Sequence, residues 1–353
     1  SKEQFACEHI ADKGPGYGME SHIIEGNNVV EVYGKVSELV ASMRNDPRPV
    51  LLEFKTFRMR GHEEASGTKY VPKELMEQWA QLDPIENFQE YLRNEKILSE
   101  EEEVRIKTEF SQEIIEDLEQ VFEEEEIQSD LSTELDDVYK NIDLEIVEPG
   151  INSTKIRLVD AISQGLRQSM RRNSELVVMG QDIAEYGGVF KVTEGYVEEF
   201  GKDRVRNTPI SESGVIEAAY GLSVNGMKAV VELQFGDFIT SGFNPVINLL
   251  AKSHYRWGQQ ADVVLRMPCG AGVGAGPFHS QTNEAWFTKT PGLKVVYPAF
   301  PADAKGLLCS AIEDPNPVLF FEHKQLYRSV YQEVPDDYYT IPFGKASLVK
   351  QGN

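Results

Sequence analysis

Cysteine is scarce: three occur in 353 residues, Cys7, Cys269 and Cys309, far apart in sequence. That excludes a disulfide scaffold, leaves no paired spacing for a structural zinc site, and fits a reducing, cytoplasmic setting. No apolar run reaches the ~18–20 residues a membrane span needs. The opening stretch, SKEQFACEHIADKG, lacks the apolar core of a secretory signal. Positive charge is short as well: 35 Lys and Arg stand against 58 Asp and Glu, a net −23. A nucleic-acid partner needs a basic face, and this balance argues against one. There is no GxSxG elbow, no Walker A loop and no internal repeat.

What is present reads as globular. Apolar residues make up 41% and aromatics 10%, enough to exclude a wholly disordered or collagen-like chain. At ~100–200 residues per domain, the length predicts about two domains. Charge divides them: residues 1–150 hold 37 acidic and 15 basic residues, a balance of −22, whereas 151–353 hold 21 and 20. The pattern predicts an α/β part over 1–80, with a helix over 36–43 and a buried strand over 49–54. An acidic helical extension over 81–142 follows, then a linker over 143–154 around Glu148-Pro149-Gly150. A second α/β domain spans 155–335, and 336–353 lead out of it. In the extension, Ile106, Phe110, Ile114, Leu118, Val121 and Phe122 recur every three or four residues, the stripe of a helix packed on a neighbour.

The second domain alternates helices with continuous Val/Leu strands. Helices are expected over 155–172, from Glu212, over 242–257 and over 302–312, and strands over 176–179, 229–233, 263–267, 294–297 and 318–321. That rhythm predicts a doubly wound parallel sheet with helices on both faces, its ligand edge at the carboxyl ends of the strands. Glu212 opens a helix, where a carboxylate either complements the helix dipole or, partly buried, exchanges a proton with a bound heterocycle. His279 leaves the glycine-rich loop after Cys269, and both a structural and an acid/base role remain open for it. Arg58 and His62 lie in a loop after a strand, as a surface loop or an anion site. Gly270-x-Gly272-x-x-Ala275 only formally fits a dinucleotide fingerprint, because Pro277 and further glycines stand where its helix should open.

At these segments the chain resembles the thiamine-diphosphate-dependent decarboxylating component of 2-oxo acid dehydrogenase complexes. Gly180-Gln181-Asp182-Ile183-Ala184-Glu185-Tyr186-Gly187-Gly188, Thr208-Pro209-Ile210-Ser211-Glu212, Leu233-Gln234-Phe235-Gly236-Asp237-Phe238 and Phe278-His279-Ser280-Gln281 are similar to its β subunit. Gly16-Tyr17-Gly18, Glu25-Gly26-Asn27-Asn28-Val29 and Phe57-Arg58-Met59-Arg60-Gly61-His62 are similar to the last part of its α subunit. The order implies a fused α–β polypeptide. The first part then corresponds to a diphosphate-binding domain, the second to a transketolase-like pyrimidine-binding domain.

The resemblance implies the oxidative decarboxylation of a 2-oxo acid, 3-methyl-2-oxobutanoate in branched-chain catabolism or else pyruvate, with acyl transfer to a lipoyl acyltransferase core. It implies that Glu212 hydrogen-bonds the aminopyrimidine ring, that Ile210, Gln234 and Phe238 line its pocket, and that His279 and His62 face the 2-oxo acid. His62 would also steady the cofactor, and Arg58 its loop. Ala311, Asp314 and Asn316 resemble a structural potassium (K+) site. The family's Gly-Asp-Gly motif with a later asparagine, which holds Mg2+, does not occur, so the Mg2+ ligands are expected before residue 1. The chain is thereby expected to be cut short at both ends and inactive alone, the intact protein being a homodimer. Glu63-Glu64-Ala65 stands where mitochondrial members carry a regulatory phosphorylation site, which favours a bacterial type. A non-catalytic assembly module docking on the acyltransferase core is the alternative.

Overall fold

The computed structural model describes residues 4–63, 65–142 and 144–352. Glu64, in the loop after His62, and Asp143, in the expected linker, lie outside the described residues. The chain forms two compact units, Ser1–Glu126 and Ile127–Asn353. The acidic stretch over 81–142 contributes to both.

In the first unit, β1 (Glu20–Glu25) pairs in parallel with β2 (Val50–Lys55), Glu20 opposite Val50, and α1 (Val29–Asn45) makes the crossover. The Asn28 side chain caps α1 by accepting the Glu31 amide, as its short amide favours. Helices α2 (Lys73–Ala80), α3 (Pro84–Asn94) and α4 (Glu100–Glu123) follow. A capping box between Ser99 and Glu102 starts α4, and Arg105–Glu109 and Lys107–Glu103 pairs lace its surface. Its apolar stripe, expected against a neighbour, is open instead: Phe110 is 63% and Phe122 82% exposed. Local capping, ion pairing and the bonds from Gln89 and Arg93 of α3 to the buried Glu103 therefore hold this helix, rather than burial of its stripe. Among the described residues of this unit, the buried apolar side chains are Ala11, Ile24 and Leu39.

The second unit opens with α5 (Leu131–Asp136) and continues through β3 (Ser153–Arg157), α6 (Leu158–Arg172), β4 (Leu176–Gly180), α7 (Tyr196–Phe200), β5 (Val205–Asn207), α8 (Glu212–Val224) and β6 (Lys228–Glu232). Then come α9 (Ser253–Trp257), β7 (Val263–Cys269), β8 (Lys294–Val296), α10 (Pro301–Glu313), β9 (Val318–His323), α11 (Leu326–Ser329) and β10 (Tyr331–Pro335). Six strands form one parallel sheet in the order β5-β4-β6-β7-β9-β8. Alternating side chains feed two cores, as the two-residue strand period requires. Val178, Val230, Val264 and Phe320 meet Leu158, Ile162, Leu166 and Met170 of α6 and Leu308 of α10. Val177, Val231, Leu265 and Phe321 meet Ile216 and Ala219 of α8 with Val246 and Leu250. The doubly wound sheet is thus present.

In the second unit two expected helices differ, while in the first the helix expected over 36–43 is the longer α1. Residues 153–157 form β3, which takes the start of the predicted 155–172 helix; it pairs antiparallel with β10, Arg157 opposite Tyr331. The Asp160 carboxylate accepts the Arg157 amide and starts the helix at Leu158, while the strand's partner lies far along the chain, where helical spacing gives no sign of it. The predicted 242–257 helix is a broken run: a 3-10 turn Gly236–Gly242, a π turn Pro245–Leu249, a 3-10 turn Leu250–Lys252 and α9. Pro245, which has no N–H to give to a preceding turn, sits at the change of winding.

Candidate active site

Parallel strands end together, so the loops leaving β4, β5, β6, β7 and β9 share one edge of the sheet. Val205–Asn207 leads through Thr208-Pro209-Ile210-Ser211 to Glu212, the first residue of α8. The loop after β4 is fixed from beside it. Asn207 Oδ1 accepts the Ala184 amide at 2.8 Å, its Nδ2 donates to Glu185 at 3.0 Å, and Lys202 pairs with Glu185 at 2.6 Å. That lysine, through its hydrogen bond, holds the Glu185 carboxyl below the usual carboxylate range. From the same loop Gln181 Nε2 reaches Glu212 Oε1 at 3.4 Å. Glu212 is half-buried. Thr208 Oγ1 is buried with no hydrogen-bond partner among the described residues.

Past β6, Leu233-Gln234-Phe235 enters the 3-10 turn that carries Phe238. Gly242 at its end lies against α8: a Cβ there would meet Ile216 Cδ1 at 2.5 Å and the Glu212 backbone carbonyl at 3.6 Å. A side chain there would push the Ile216 tip aside, so the Phe238 turn packs directly beside the start of the Glu212 helix. From β7 the chain runs through Gly270–Gly276 to the turn Pro277–His279. The His279 ring meets Phe235 edge-on at 4.7 Å and 88°, and Phe238 at 5.5 Å and 78°. Phe235 and Phe238 meet each other at 5.7 Å. Half-buried aromatic walls, a histidine and a carboxylate therefore share the carboxyl edge of the sheet. A planar, polar ring held there would find stacking faces, a carboxylate acceptor and an unsatisfied hydroxyl.

Behind the edge, three neighbouring strands carry a buried charge group. Arg266 donates to Glu232 at 2.6 Å and through two nitrogens to Glu322 at 2.8 Å, and Tyr327 Oη donates to Glu322. Burial pushes the Glu232 carboxyl up, against the opposing pull of Arg266. Composition does not reveal this group, since Glu232 and Arg266 each interrupt an apolar strand with one charge.

Ile210 is 83% exposed at the edge, and Gln234 is half-buried at the end of β6. Arg58 and His62 belong to the first unit, both exposed on the segment after β2. Asp314, at the end of α10, accepts Lys294 Nζ at 2.5 Å and Asn316 Nδ2 at 2.8 Å. Asn316 Oδ1 accepts the Lys140 amide at 2.8 Å, and Ala311 is buried in the core. Among the described residues no group of three or more His, Cys, Asp or Glu side chains is placed to hold a metal ion.

Comparison with known proteins places both parts of the chain in families. Residues 154–330 match the family described as "Transketolase, pyrimidine binding domain", and residues 1–129 match "Dehydrogenase E1 component". The chain belongs to the transketolase pyrimidine-binding family. It joins that domain to a dehydrogenase E1 segment. It is 44% identical over 197 residues to the 2-oxoisovalerate dehydrogenase subunit beta of Bacillus subtilis (55% of this chain, 60% of the relative). It is 46% identical over 199 residues to the pyruvate dehydrogenase E1 component subunit beta of Acholeplasma laidlawii (56% and 61%). A mitochondrial 2-oxoisovalerate dehydrogenase subunit beta of Dictyostelium discoideum is 44% identical over 212 residues (59% and 57%). The chain thus spans about 60% of the length of the curated relatives it matches. No helix among the described residues is long and apolar enough to cross a membrane.

Proposed function

We propose that the carboxyl edge of the sheet binds the aminopyrimidine half of thiamine diphosphate, and that the intact protein is the decarboxylating component of a 2-oxo acid dehydrogenase. The observation that carries this reading is the half-buried Glu212 at the start of α8, beside the turn whose Phe238 packs on His279. When bound, the cofactor supplies the carbon nucleophile and electron sink for decarboxylation. Glu212 holds a proton against a ring nitrogen of the aminopyrimidine. Phe238 would line one side of that ring, with Ile210 and Gln234 at the rim. His279 moves a proton at a ring nitrogen facing the 2-oxo acid. His62 and Arg58, exposed on the first unit, are given no step at this edge. The side-chain oxygens of Asp314 and Asn316 are already bonded, and no cluster among the described residues suits Mg2+, so no step is assigned to potassium or magnesium in this chain.

The substrate we favour is 3-methyl-2-oxobutanoate, with the acyl group passed to a lipoyl acyltransferase partner and two sites in a homodimer, in the cytoplasm. Pyruvate is the second reading, because relatives named for each acid match at nearly equal identity. The test is turnover of both acids by the intact enzyme with thiamine diphosphate, Mg2+ and an electron acceptor. A kcat/KM at least about tenfold higher for the branched acid is expected; the reverse order assigns pyruvate. Turnover unchanged in Glu212→Ala would overturn the catalytic reading and leave an assembly module.

A further inference from the structure

His279 sits beyond a stretch that has little to hold it. Residues 270–276 include four glycines in the left-handed region, φ between 68° and 109°, and all but Gly270 are exposed. Yet an acid/base histidine needs a fixed ring. The anchors lie on its other side, between Gln281 and Asn283. The Gln281 amide, two residues after His279, donates to Asp237 Oδ1 at 3.1 Å, and the Gln281 carbonyl accepts the Gly270 amide at 2.9 Å. Asn283 Nδ2 donates to the Gly236 carbonyl at 2.9 Å. Asp237 and Asn283 are 5% and 2% exposed. The loop is therefore pinned to the turn that also carries Phe238, the ring against which His279 packs.

Asp237 has a second, unexplained feature. Its Oδ2 is buried without a partner among the described residues, and so is Nζ of Lys324, a residue 4% exposed at the end of β9. Lys324 Nζ stands 5.4 Å over the Phe235 ring, the same ring that His279 meets on its edge. A buried carboxylate and a buried ammonium, each unpaired, would both be costly. Their charges are of opposite sign, so each offsets part of the other's cost. The negative field of Asp237 opposes the burial that lowers Lys324.

We propose that Asp237 is the positioning residue for His279: its carboxylate holds the outgoing loop by the Gln281 amide, and Lys324, beneath Phe235, supplies the balancing charge. The inference rests on the proposed role of His279, but its geometry does not, and neither does its test. The test uses the full chain without cofactor or substrate. It reads hydrogen exchange of residues 279–283 and the His279 imidazole NMR signals, assigned with His279→Gln.

In Asp237→Ala the Gln281 amide is expected to exchange at least about tenfold faster, with the His279 signals shifted and the thermal midpoint within a few degrees of wild type. In Asp237→Asn, whose side-chain oxygen still accepts, exchange is expected to return to near the wild-type rate. Unchanged exchange in Asp237→Ala, or equal acceleration in both variants, would overturn the proposal. Should Asp237→Ala not fold, Lys324→Met decides. A shift of the His279 signals is expected, and unmoved signals would overturn the proposal. Failure of thiamine diphosphate to bind would sink the functional reading while leaving these outcomes intact.

Discussion

Phe238 meets the imidazole of His279 edge-on, centroids 5.5 Å apart and planes at 78°. The two come from the loops after different strands, β6 and β7, and only a parallel sheet brings those loops together. Edge-on aromatic pairs contribute about 0.5–1.5 kcal/mol beyond their buried area. Phe238→Ala should therefore leave the fold intact and weaken thiamine diphosphate binding by roughly tenfold, as the area and the pair are lost together. Calorimetric titration of both proteins checks it; equal affinity would remove Phe238 from the site.

Arg266 holds two carboxylates in the buried core of the sheet. Arg266→Met leaves Glu232 and Glu322 buried without that counter-charge, an expected loss of about 3–5 kcal/mol in a urea melt. The same group predicts a pH dependence. Burial raises the Glu232 pKa above its ordinary 4.5, so the folded state favours the protonated form. That contribution is full below 4.5 and is lost as pH rises through the raised folded value. Glu232→Gln removes it, so its stability relative to wild type should climb as pH rises above 4.5. A difference that stays flat above that pH would contradict the assignment.

Burial pushes the Cys269 thiol up to about 11 and the Cys309 thiol up to about 12. Both are thiols, not thiolates, at neutral pH and sheltered from reagent. Of the three cysteines only Cys7 is partly exposed. A disulfide reagent at about pH 8 should titrate one thiol in the native protein and three in denaturant. A second fast thiol would show that the sheet opens.

Lys305, on α10, is fully buried, and burial brings its pKa down to about 8. Its ammonium donates to Gln164 on α6 at 3.0 Å and to the carbonyls of Pro335, Asp336 and Asp337 at 2.6, 3.2 and 2.7 Å. It thus ties the end of β10 to the helix pair. Lys305→Met fills the volume but strands those acceptors, an expected loss of about 2–4 kcal/mol. Thermal or urea unfolding measures it, and a neutral result would mean the carbonyls find water.

The second unit was largely legible in the sequence because its strands are short Val/Leu runs between helices, buried on both faces. The edge strand β8 was legible as well, but β5, β3 and β10 were not. β5 has three residues, Val205–Asn207, with little apolar signal, and β3 and β10 pair across a long stretch of chain that no local period encodes. Glu212, Phe238 and His279 came forward through the resemblance of their runs, and the structure sets Phe238 against His279. Asp237, Asn283 and Lys324 were not singled out, because a polar residue's burial depends on distant strands. The α4 stripe had the right period, yet it stays exposed, since periodicity gives a face and not what covers it.

The central claim is that the strand ends carrying Glu212, Phe238 and His279 receive the aminopyrimidine ring. Hydrogen exchange of the full chain, with and without millimolar thiamine diphosphate and Mg2+, tests it most directly. Slowed exchange is expected in segments 207–213, 234–239 and 277–282, with that protection lost in Glu212→Ala. Unchanged exchange in all three, or protection confined to other segments, would contradict it.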